Sequence, residues 1–251
     1  MSLDGRVAIV TGGRRGIGAA ISTELAREGA AVAVADLDAD DAAKTAAQIV
    51  AETGRSALGV GVDVTNAASI ARTVAQVTDE LGVVDILVNN AGVDRIGRFV
   101  DSDEKTWDLL IGTNLKGTIA FTRAVLDPML ERESGRIINI ASDAAKVGSS
   151  GEVVYSATKG GVLSFTKALA RETATKGVTV NCVCPGPTDT ALLDQVAEVN
   201  QKLYDSLARA VPMRRIGRPE DIAPMVAFLA GDSAAFITGQ GISVSGGLTM
   251  S

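Results

Sequence analysis

Short apolar runs alternate along the chain with longer stretches of mixed polarity. The runs at 7–11, 31–36 and 86–89 are rich in valine, isoleucine and alanine, which predicts buried β-strands. The stretches at 16–28 and 40–52 have the length and composition of helices. Strands that are apolar almost throughout are typical of a sheet covered on both faces.

The same alternation continues to the end of the chain. Further strands are predicted at 57–64, 136–141, 178–183 and 242–244, and further helices at 66–81, 105–130, 153–174, 191–210 and 219–230. Such regular alternation predicts parallel strands joined by right-handed helical crossovers. We therefore expect an α/β fold. It should be a single-domain, doubly wound Rossmann sheet of seven parallel strands over residues 1–251, with helices on both faces. Residues 188–212 follow an irregular Pro-Gly-Pro loop and are expected to form a substrate lid.

Composition narrows the possible partners and compartment. The 251 residues carry a formal net charge of −6 without a basic stripe, which argues against nucleic acid as a partner. No apolar run reaches the roughly 18 residues of a membrane span, and the first residues do not resemble a signal peptide, so a cytoplasmic protein is expected. Cys182 and Cys184 alternate along one predicted strand and are expected to be reduced core residues.

The chain contains no histidine. This excludes a Ser-His-Asp triad, a Cys-His dyad and any histidine-ligated metal, and we expect no metal site. Proton transfer would therefore fall to Asp, Glu, Lys, Cys or Tyr. Only two tyrosines are present, Tyr155 and Tyr204.

A glycine-rich turn joins the first predicted strand to the first helix. It reads Thr11-Gly-Gly-Arg-Arg-Gly-Ile-Gly18, with glycines at Gly12, Gly16 and Gly18. Small residues allow the backbone to approach a pyrophosphate, whose charge the amides of the helix N-terminus would meet. At this junction the turn predicts a dinucleotide site, although a purely structural turn is the alternative.

Asp36 ends the second predicted strand, where such folds contact the adenosine ribose. A carboxylate accepts hydrogen bonds from ribose hydroxyls and repels a 2′-phosphate, which favours NAD over NADP. Arg14 and Arg15 act in the opposite direction if either reaches a phosphate; otherwise they are solvated loop charges. A helix-capping role is the alternative for Asp36.

Tyr155 and Lys159 lie four residues apart on a predicted helix and so share one face. A neighbouring ammonium favours a phenolate, so we expect Lys159 to lower the pKa of Tyr155 and the pair to act as a general acid/base. Ser142 follows the fifth strand, where its hydroxyl could hold a substrate carbonyl against the phenol. The segment ending in Glu152 resembles a capping box that opens the same helix.

Together these motifs resemble the short-chain dehydrogenase/reductase family over essentially the whole chain. The motifs that carry the resemblance are the glycine turn, Asp63-Val64, Asn89-Asn-Ala-Gly92, Asn114, Ser142, Tyr155-Ser-Ala-Thr-Lys159, and Pro185-Gly186 with Thr188. The resemblance implies a homotetramer, with the helices predicted at 105–130 and 153–174 at one interface. It also implies that Asn114, Ser142, Tyr155 and Lys159 are catalytic, Asn114 supporting a water relay.

The resemblance also implies a set of cofactor-binding residues. They are Gly12, Arg15, Gly16, Ile17, Gly18, Asp36, Leu37, Asp63, Val64, Asn90, Ala91, Gly92, Tyr155, Lys159, Pro185, Gly186 and Thr188. The implied activity is an NAD-dependent interconversion of a secondary alcohol and a ketone, with a hydride passing to or from the nicotinamide.

Within the family, the segments 141–152, 184–193 and 245–250 are most similar to 2-hydroxycyclohexanecarboxyl-CoA dehydrogenases of aromatic compound degradation. This implies a cyclic or β-hydroxyacyl-CoA substrate. The expected substrate contacts are Ser142, Asp143, Tyr155, Leu192 and Leu193, although Asp143 could equally cap its loop. The alternatives are a 3-oxoacyl-(acyl carrier protein) reductase, which usually prefers NADPH, a small secondary alcohol dehydrogenase, and a non-catalytic dinucleotide sensor.

Overall fold

A computed structural model describes residues 2–190 and 201–250. Seven strands are present there: β1 (Val7–Thr11), β2 (Ala31–Asp36), β3 (Ala57–Gly61), β4 (Ile86–Asn89), β5 (Gly135–Ile140), β6 (Val178–Pro185) and β7 (Gly241–Val244). The helices are α1 (Gly16–Arg27), α2 (Ala39–Thr53), α3 (Ala67–Glu80), α4 (Glu104–Leu110), α5 (Gly117–Glu131), α6 (Ala144–Val147), α7 (Val153–Thr173), α8 (Gln201–Ala210) and α9 (Pro219–Ala230). In the described part of the chain, no helix has both the length and the apolar character needed to cross a membrane.

All seven strands are parallel, in the order β3-β2-β1-β4-β5-β6-β7. The strand order reverses between β1 and β4, which are neighbours although two strands separate them in sequence. In open parallel sheets, ligands bind beyond the carboxyl ends of the strands at such a reversal. The segments that follow β1 and β4 therefore mark where a ligand is expected.

The two faces of the sheet carry separate apolar cores because side chains alternate along each strand. Ala8 and Val10 of β1 pack with buried residues of α1, α2 and α9. Val7 and Ile9 of the same strand pack with residues of α3, α5 and α7 on the other face. This explains why the strands are apolar throughout and confirms the doubly wound fold class predicted from the sequence.

Most predicted elements match the structure to within a few residues, but the predicted helix 105–130 does not run regularly. It comprises α4, a π-helical segment at Ile111–Lys116, and α5. π-Helical turns place an extra residue in the helix and often occur at functional sites. This one carries Asn114. The predicted third strand, at 57–64, ends three residues early, at Gly61.

Close packing between β3 and α2 depends on Gly59. A Cβ at this position would lie 2.3 Å from the backbone nitrogen and 2.4 Å from the Cα of Ala43. We expect Gly59→Ala to reduce the free energy of unfolding by about 1–3 kcal/mol, because the helix must move away from the strand. Denaturant unfolding measures this change.

Gly97→Ala is a matched control, since a Cβ there would meet no atom of the described residues within 4 Å. Its free energy of unfolding should stay within about 0.5 kcal/mol of the parent value. An equal loss in both variants would contradict the packing explanation.

Candidate active site

The glycine turn after β1 is compact because Gly18 packs directly on Gly12. A Cβ on Gly18 would lie 2.1 Å from the carbonyl oxygen of Gly12 and 2.6 Å from Nδ2 of Asn90. Gly12 and Gly16 adopt left-handed backbone conformations, with φ of 63° and 55°. The turn can therefore be built only from glycines at these positions.

The N-terminus of α1 has the properties of an anion site. Arg15 is its N-cap residue and makes no side-chain cap hydrogen bond, and the first turn contains no acidic residue. Among the described residues, a Cβ on Gly16 would meet only Thr190, at 3.5 Å. The amides of a helix N-terminus and a favourable helix dipole fit the pyrophosphate of a dinucleotide. Ile17 and Gly18 lie in the same first turn.

Thr11 and Asn90 connect the segments that follow β1 and β4. The Thr11 hydroxyl accepts hydrogen bonds from the backbone nitrogens of Asn90 and Ala91, both at 3.0 Å. The Asn90 amide donates to the carbonyls of Thr11 and Gly12, each at 3.0 Å. Asn90 thus braces the glycine turn through its side chain. The connection of these two segments by Thr11 was not predicted from the sequence, although the position of Thr11 in the turn motif could have indicated a structural role.

A cleft of about 530 Å³ opens beside Asp36, lined by Arg14, Asp36, Leu37, Asp38, Ala39 and Asp40. The Arg14 guanidinium lies 3.2 Å from the Asp36 carboxylate, 3.6 Å from Asp38 and 3.1 Å from Asp41. The charge of Arg14 is therefore held among three carboxylates. Acidic groups outnumber basic ones in this cleft, as expected for a site that binds ribose hydroxyls and disfavours phosphate.

Other predicted cofactor residues lie along the same edge of the sheet. Asp63 accepts hydrogen bonds from the backbone nitrogen and hydroxyl of Thr65, at 2.8 and 2.6 Å. Val64 packs against the π-helical segment's end, since a Cβ on Gly117 would lie 3.0 Å from its Cγ2. Gly186 lies so close to Ser245 that a Cβ would come within 2.7 Å of it. Thr188 is buried and donates to the Gly186 carbonyl at 2.9 Å.

Asn114 is fully buried, and its side chain holds the loop after β4. Its Oδ1 accepts from the backbone nitrogen of Val93 at 2.8 Å, and its Nδ2 donates to the Val93 carbonyl at 2.9 Å. Nδ2 also lies 3.3 Å from the Thr158 hydroxyl of α7. The π-helical turn thus fixes the β4 loop against the helix that carries Tyr155 and Lys159.

Lys159 is buried, with 4% of its surface exposed, next to this loop. Its ammonium donates to the carbonyl of Ile140 at 2.8 Å, and a Cβ on Gly92 would lie 3.4 Å from its nitrogen. Burial lowers the pKa of Lys159 to about 8, although the negative charge of Asp94 opposes this shift. The ammonium lies 5.7 Å from the centre of the Tyr155 ring, so the structure brings the predicted pair together.

The pKa of Tyr155 moves in the direction opposite to the one expected from the sequence. Burial raises this pKa well above its usual range, and the charges of Asp94 and Glu152 raise it further. A hydrogen bond with Ser142 opposes the increase. The structure therefore does not show the expected lowering of this pKa, because desolvation and the charges of Asp94 and Glu152 outweigh the hydrogen bond with Ser142.

A buried polar ladder joins the strands to the helices of the site. Asn89 of β4 donates to Asn139 of β5 at 2.9 Å and to Thr122 of α5 at 3.0 Å. Asn139 donates in turn to Thr166 of α7, also at 2.9 Å. Each of these polar side chains is buried and paired. The ladder beyond Asn89 was not anticipated from the sequence, since isolated Asn and Thr residues in apolar elements give no specific signal.

Asp143 is buried and faces β7. One carboxylate oxygen accepts from the Ser243 hydroxyl at 2.8 Å, and Lys146 donates to the same hydroxyl oxygen at 2.9 Å. Its side chain makes no cap hydrogen bond to α6. A substrate contact by Asp143 stays a prediction. Leu192 and Leu193, the other predicted substrate residues, and part of the predicted lid lie outside the described residues.

Comparison with known proteins finds relatives that match nearly the whole chain. The family model described as enoyl-(acyl carrier protein) reductase matches residues 12–249. The chain is 43% identical to the acetoacetyl-CoA reductase of Shinella zoogloeoides, covering 96% of this chain and 98% of the relative. It is 41% identical to the hydroxy(phenyl)methylsuccinyl-CoA dehydrogenase subunit BbsD of Thauera aromatica, covering 100% and 99%. It is also 41% identical to the 3-oxoacyl-(acyl carrier protein) reductase FabG of Vibrio cholerae, covering 100% of both chains.

A solved structure gives the same result for the fold. The crystal structure of a protein described as a short-chain alcohol dehydrogenase from Sinorhizobium meliloti 1021 superposes with a TM-score of 0.94. It shares 38% identity and covers 98% of this chain and 97% of its own. The chain therefore belongs to the short-chain dehydrogenase/reductase family of nicotinamide-dependent oxidoreductases.

Proposed function

We propose that this chain interconverts a ketone and a secondary alcohol with NAD(H), and that Tyr155 is its proton donor and acceptor. The observation that carries the proposal is the meeting of the Tyr155 phenol, the Ser142 hydroxyl and the buried Lys159 ammonium beside Gly92 and Asn114. All five groups lie at the edge of the sheet that also carries the glycine turn. A bound nicotinamide would supply the hydride donor or acceptor.

Each side chain then has a separate task. Ser142 donates a hydrogen bond to the substrate carbonyl oxygen and orients it toward the phenol. Tyr155 gives its proton to that oxygen during reduction and takes it back during oxidation. Lys159, fixed by the Ile140 carbonyl, provides a positive charge next to the oxygen as negative charge develops there. Asn114 keeps the β4 loop against α7 and so maintains these distances.

Tyr155→Phe should reduce kcat by at least about 100-fold, because the variant lacks the proton that the reaction transfers. Binding of NADH should stay close to the parent value, since the ring and its surroundings are retained. Steady-state rates and a fluorescence titration with NADH measure the two quantities. Activity within about tenfold of the parent protein would exclude Tyr155 as the proton donor.

The acidic cleft beside Asp36 supports NAD as the cofactor. Asp36 would accept hydrogen bonds from the ribose hydroxyls, and Asp38 and Asp41 hold Arg14 so that its charge is compensated. A 2′-phosphate in this cleft would meet several carboxylates, each at a cost on the order of 4 kcal/mol at about 4 Å and an effective dielectric of about 20. Arg15 is exposed and stands at the N-terminus of α1, where the pyrophosphate would bind.

Asp36→Ala should raise the ratio of kcat/KM with NADP to that with NAD by at least about tenfold, because it removes a carboxylate and releases Arg14 toward a phosphate. Asp79→Ala, which removes an exposed carboxylate from α3 outside the cleft, should leave the ratio unchanged. The assay is steady-state kinetics with each cofactor. A parent protein that prefers NADP would contradict the proposed cofactor.

For the substrate we propose a β-oxoacyl or β-hydroxyacyl thioester. The named relatives act on acetoacetyl-CoA, on a hydroxy(phenyl)methylsuccinyl-CoA and on a 3-oxoacyl group carried by acyl carrier protein, and all three are thioesters with oxygen at the β carbon. The resemblance of 141–152 to 2-hydroxycyclohexanecarboxyl-CoA dehydrogenases makes a cyclic β-hydroxyacyl-CoA the specific candidate. We further propose a homotetramer and a lid near 188–212 that includes Leu192 and Leu193.

A reductase of 3-oxoacyl-(acyl carrier protein) is the second candidate, favoured by the 41% identity to the Vibrio cholerae enzyme. The first candidate is expected to use NAD and the second NADPH, and the acidic cleft beside Asp36 favours NAD. A non-catalytic sensor would not need Ser142, Tyr155 and Lys159 at contact distance, so we favour an enzyme.

A substrate panel tests this proposal. With NAD, we expect kcat/KM for 2-hydroxycyclohexanecarboxyl-CoA and 3-hydroxybutyryl-CoA to exceed that for free cyclohexanol by at least about 100-fold. The reason is that the binding energy of the CoA part, which lies away from the reacting carbon, can be used to stabilise the transition state. The acyl carrier protein thioester serves as the comparison for the second candidate. A preference for cyclohexanol would exclude a thioester substrate.

A further inference from the structure

Two carboxyl groups, those of Asp94 and Glu152, meet beside Tyr155. Asp94 follows the Asn89–Gly92 motif, has 3% of its surface exposed, and uses Oδ1 to accept from the backbone nitrogen of Arg95 at 2.7 Å. Its Oδ2 is fully buried and has no conventional donor among the described residues. The Glu152 carboxyl lies next to it, immediately before the first residue of α7. Two carboxyl oxygens can share a hydrogen bond only when one of them carries a proton.

The meeting of these carboxyl groups is built into the backbone. The nitrogen of Gly97 donates to the carbonyl of Gly151 at 2.9 Å, which joins the loop of Asp94 to the turn of Glu152. Asn114 clamps the residue before Asp94 through both hydrogen bonds to Val93. The pair is therefore held in place on both sides, at the start of the helix that carries Tyr155.

Like charges in a poorly solvated site oppose the ionisation of both groups. Burial and the Glu152 carboxylate raise the pKa of Asp94 to about 7, while the Arg95 backbone and guanidinium act in the opposite direction. Asp94 therefore loses its proton near neutral pH rather than in the acidic range. The other charged or titratable groups that the pair faces are Tyr155 and, for Asp94, Lys159.

We propose that Asp94 and Glu152 are a positioning pair that keeps the Tyr155 hydroxyl protonated and so prepares it to donate a proton to a ketone. The proposal rests on the proposed function, in which Tyr155 is the proton donor. The pair acts through its negative charge, which opposes the formation of a phenolate next to it. The hydrogen bond with Ser142 opposes the pair by favouring the phenolate.

The direction of the pH effect follows from the charges. Asp94 loses its proton as the pH rises through about 7, which adds a negative charge beside the phenol. The phenol is therefore held more strongly in its protonated form as the pH rises, which extends proton donation to alkaline pH. Removing either carboxyl group should lower the pKa of Tyr155.

The composition of the chain allows a direct measurement, since Tyr204 is the only other tyrosine. In a Tyr204→Phe background, biosynthetic replacement of tyrosine by 3,5-difluorotyrosine labels position 155 alone. The fluorinated phenol ionises several pH units below tyrosine, within the range in which the folded protein can be titrated. The ¹⁹F chemical shift then reports the ionisation of this side chain without any catalytic assay.

We expect Asp94→Asn and Glu152→Gln each to lower the ionisation midpoint at position 155 by about one pH unit, which is the scale of one charge at several ångströms in a partly buried site. Asp101→Asn is the matched control, because it removes an exposed carboxylate that follows Asp94 in the same segment before α4. Its midpoint should shift by less than about 0.2 units. Thermal unfolding of each variant checks that it is folded. If Asp94→Asn does not fold, Glu152→Gln decides.

Midpoints that stay unchanged or rise in folded Asp94→Asn and Glu152→Gln would overturn the proposal. A second readout distinguishes this failure from failure of the proposed function. In the unlabelled protein with saturating NAD, the rise of kcat/KM for alcohol oxidation with pH should shift to lower pH in both variants, as the fluorine titration does. If the fluorine midpoint shifts but the kinetic profile does not, the pair controls the ionisation of the phenol and Tyr155 is not the proton donor. If the midpoints stay unchanged and the parent protein is active, only the role of the pair is rejected.

Discussion

The parallel register of the strands is the constraint on which the whole site depends. It brings the carboxyl ends of β1, β4, β5 and β6 to one edge, so that segments far apart in sequence become neighbours there. The glycine turn follows β1, the Asn90–Asp94 loop follows β4, and Ser142 follows β5. The buried ladder from Asn89 through Asn139 to Thr166 then fixes α7, and with it Tyr155 and Lys159, against the centre of the sheet.

Burial shifts the pKa values of the two central side chains, Tyr155 and Lys159, in opposite directions. It favours the neutral amine of Lys159, which lowers the pKa of that group. It also favours the neutral phenol of Tyr155, which raises the pKa of that group. The sequence spacing suggested an ammonium that makes a phenol acidic. The structure instead contains a balance in which the Ser142 hydrogen bond acts against desolvation and two carboxyl groups. This balance is compatible with either reaction direction and favours a protonated Tyr155 at neutral pH.

Local motifs could be predicted because their chemistry is short-range. The turn of Gly12, Gly16 and Gly18 and the Tyr155–Lys159 spacing depend on a few neighbouring residues, and alternation of strands and helices determined the fold class. The π-helical turn at Asn114 could not be predicted, since the phase shift that one extra residue causes in the apolar pattern does not identify its position in a stretch of this length. The segment 149–152 was expected to form a capping box for α7, but Glu152 occupies the N-cap position without a side-chain cap hydrogen bond. Its carboxyl group lies instead beside Asp94, 58 positions earlier in the numbering. Likewise the positive charge of Arg14 alone suggested a contact with a phosphate, but Asp36, Asp38 and Asp41 bind Arg14 and compensate this charge.

The central claim is that the phenol of Tyr155 and a bound nicotinamide act on the same carbonyl group of the substrate. The phenol acts on its oxygen and the reactive carbon of the nicotinamide on its carbon. A crystal structure of the chain with NAD bound tests it most directly, through the distance from the Tyr155 oxygen to C4 of the nicotinamide ring. We expect about 5 Å or less, because each group must come within about 3–3.5 Å of the reacting alcohol. A nicotinamide ring held more than about 8 Å from the phenol, with the cofactor otherwise seated on the glycine turn, would contradict the claim.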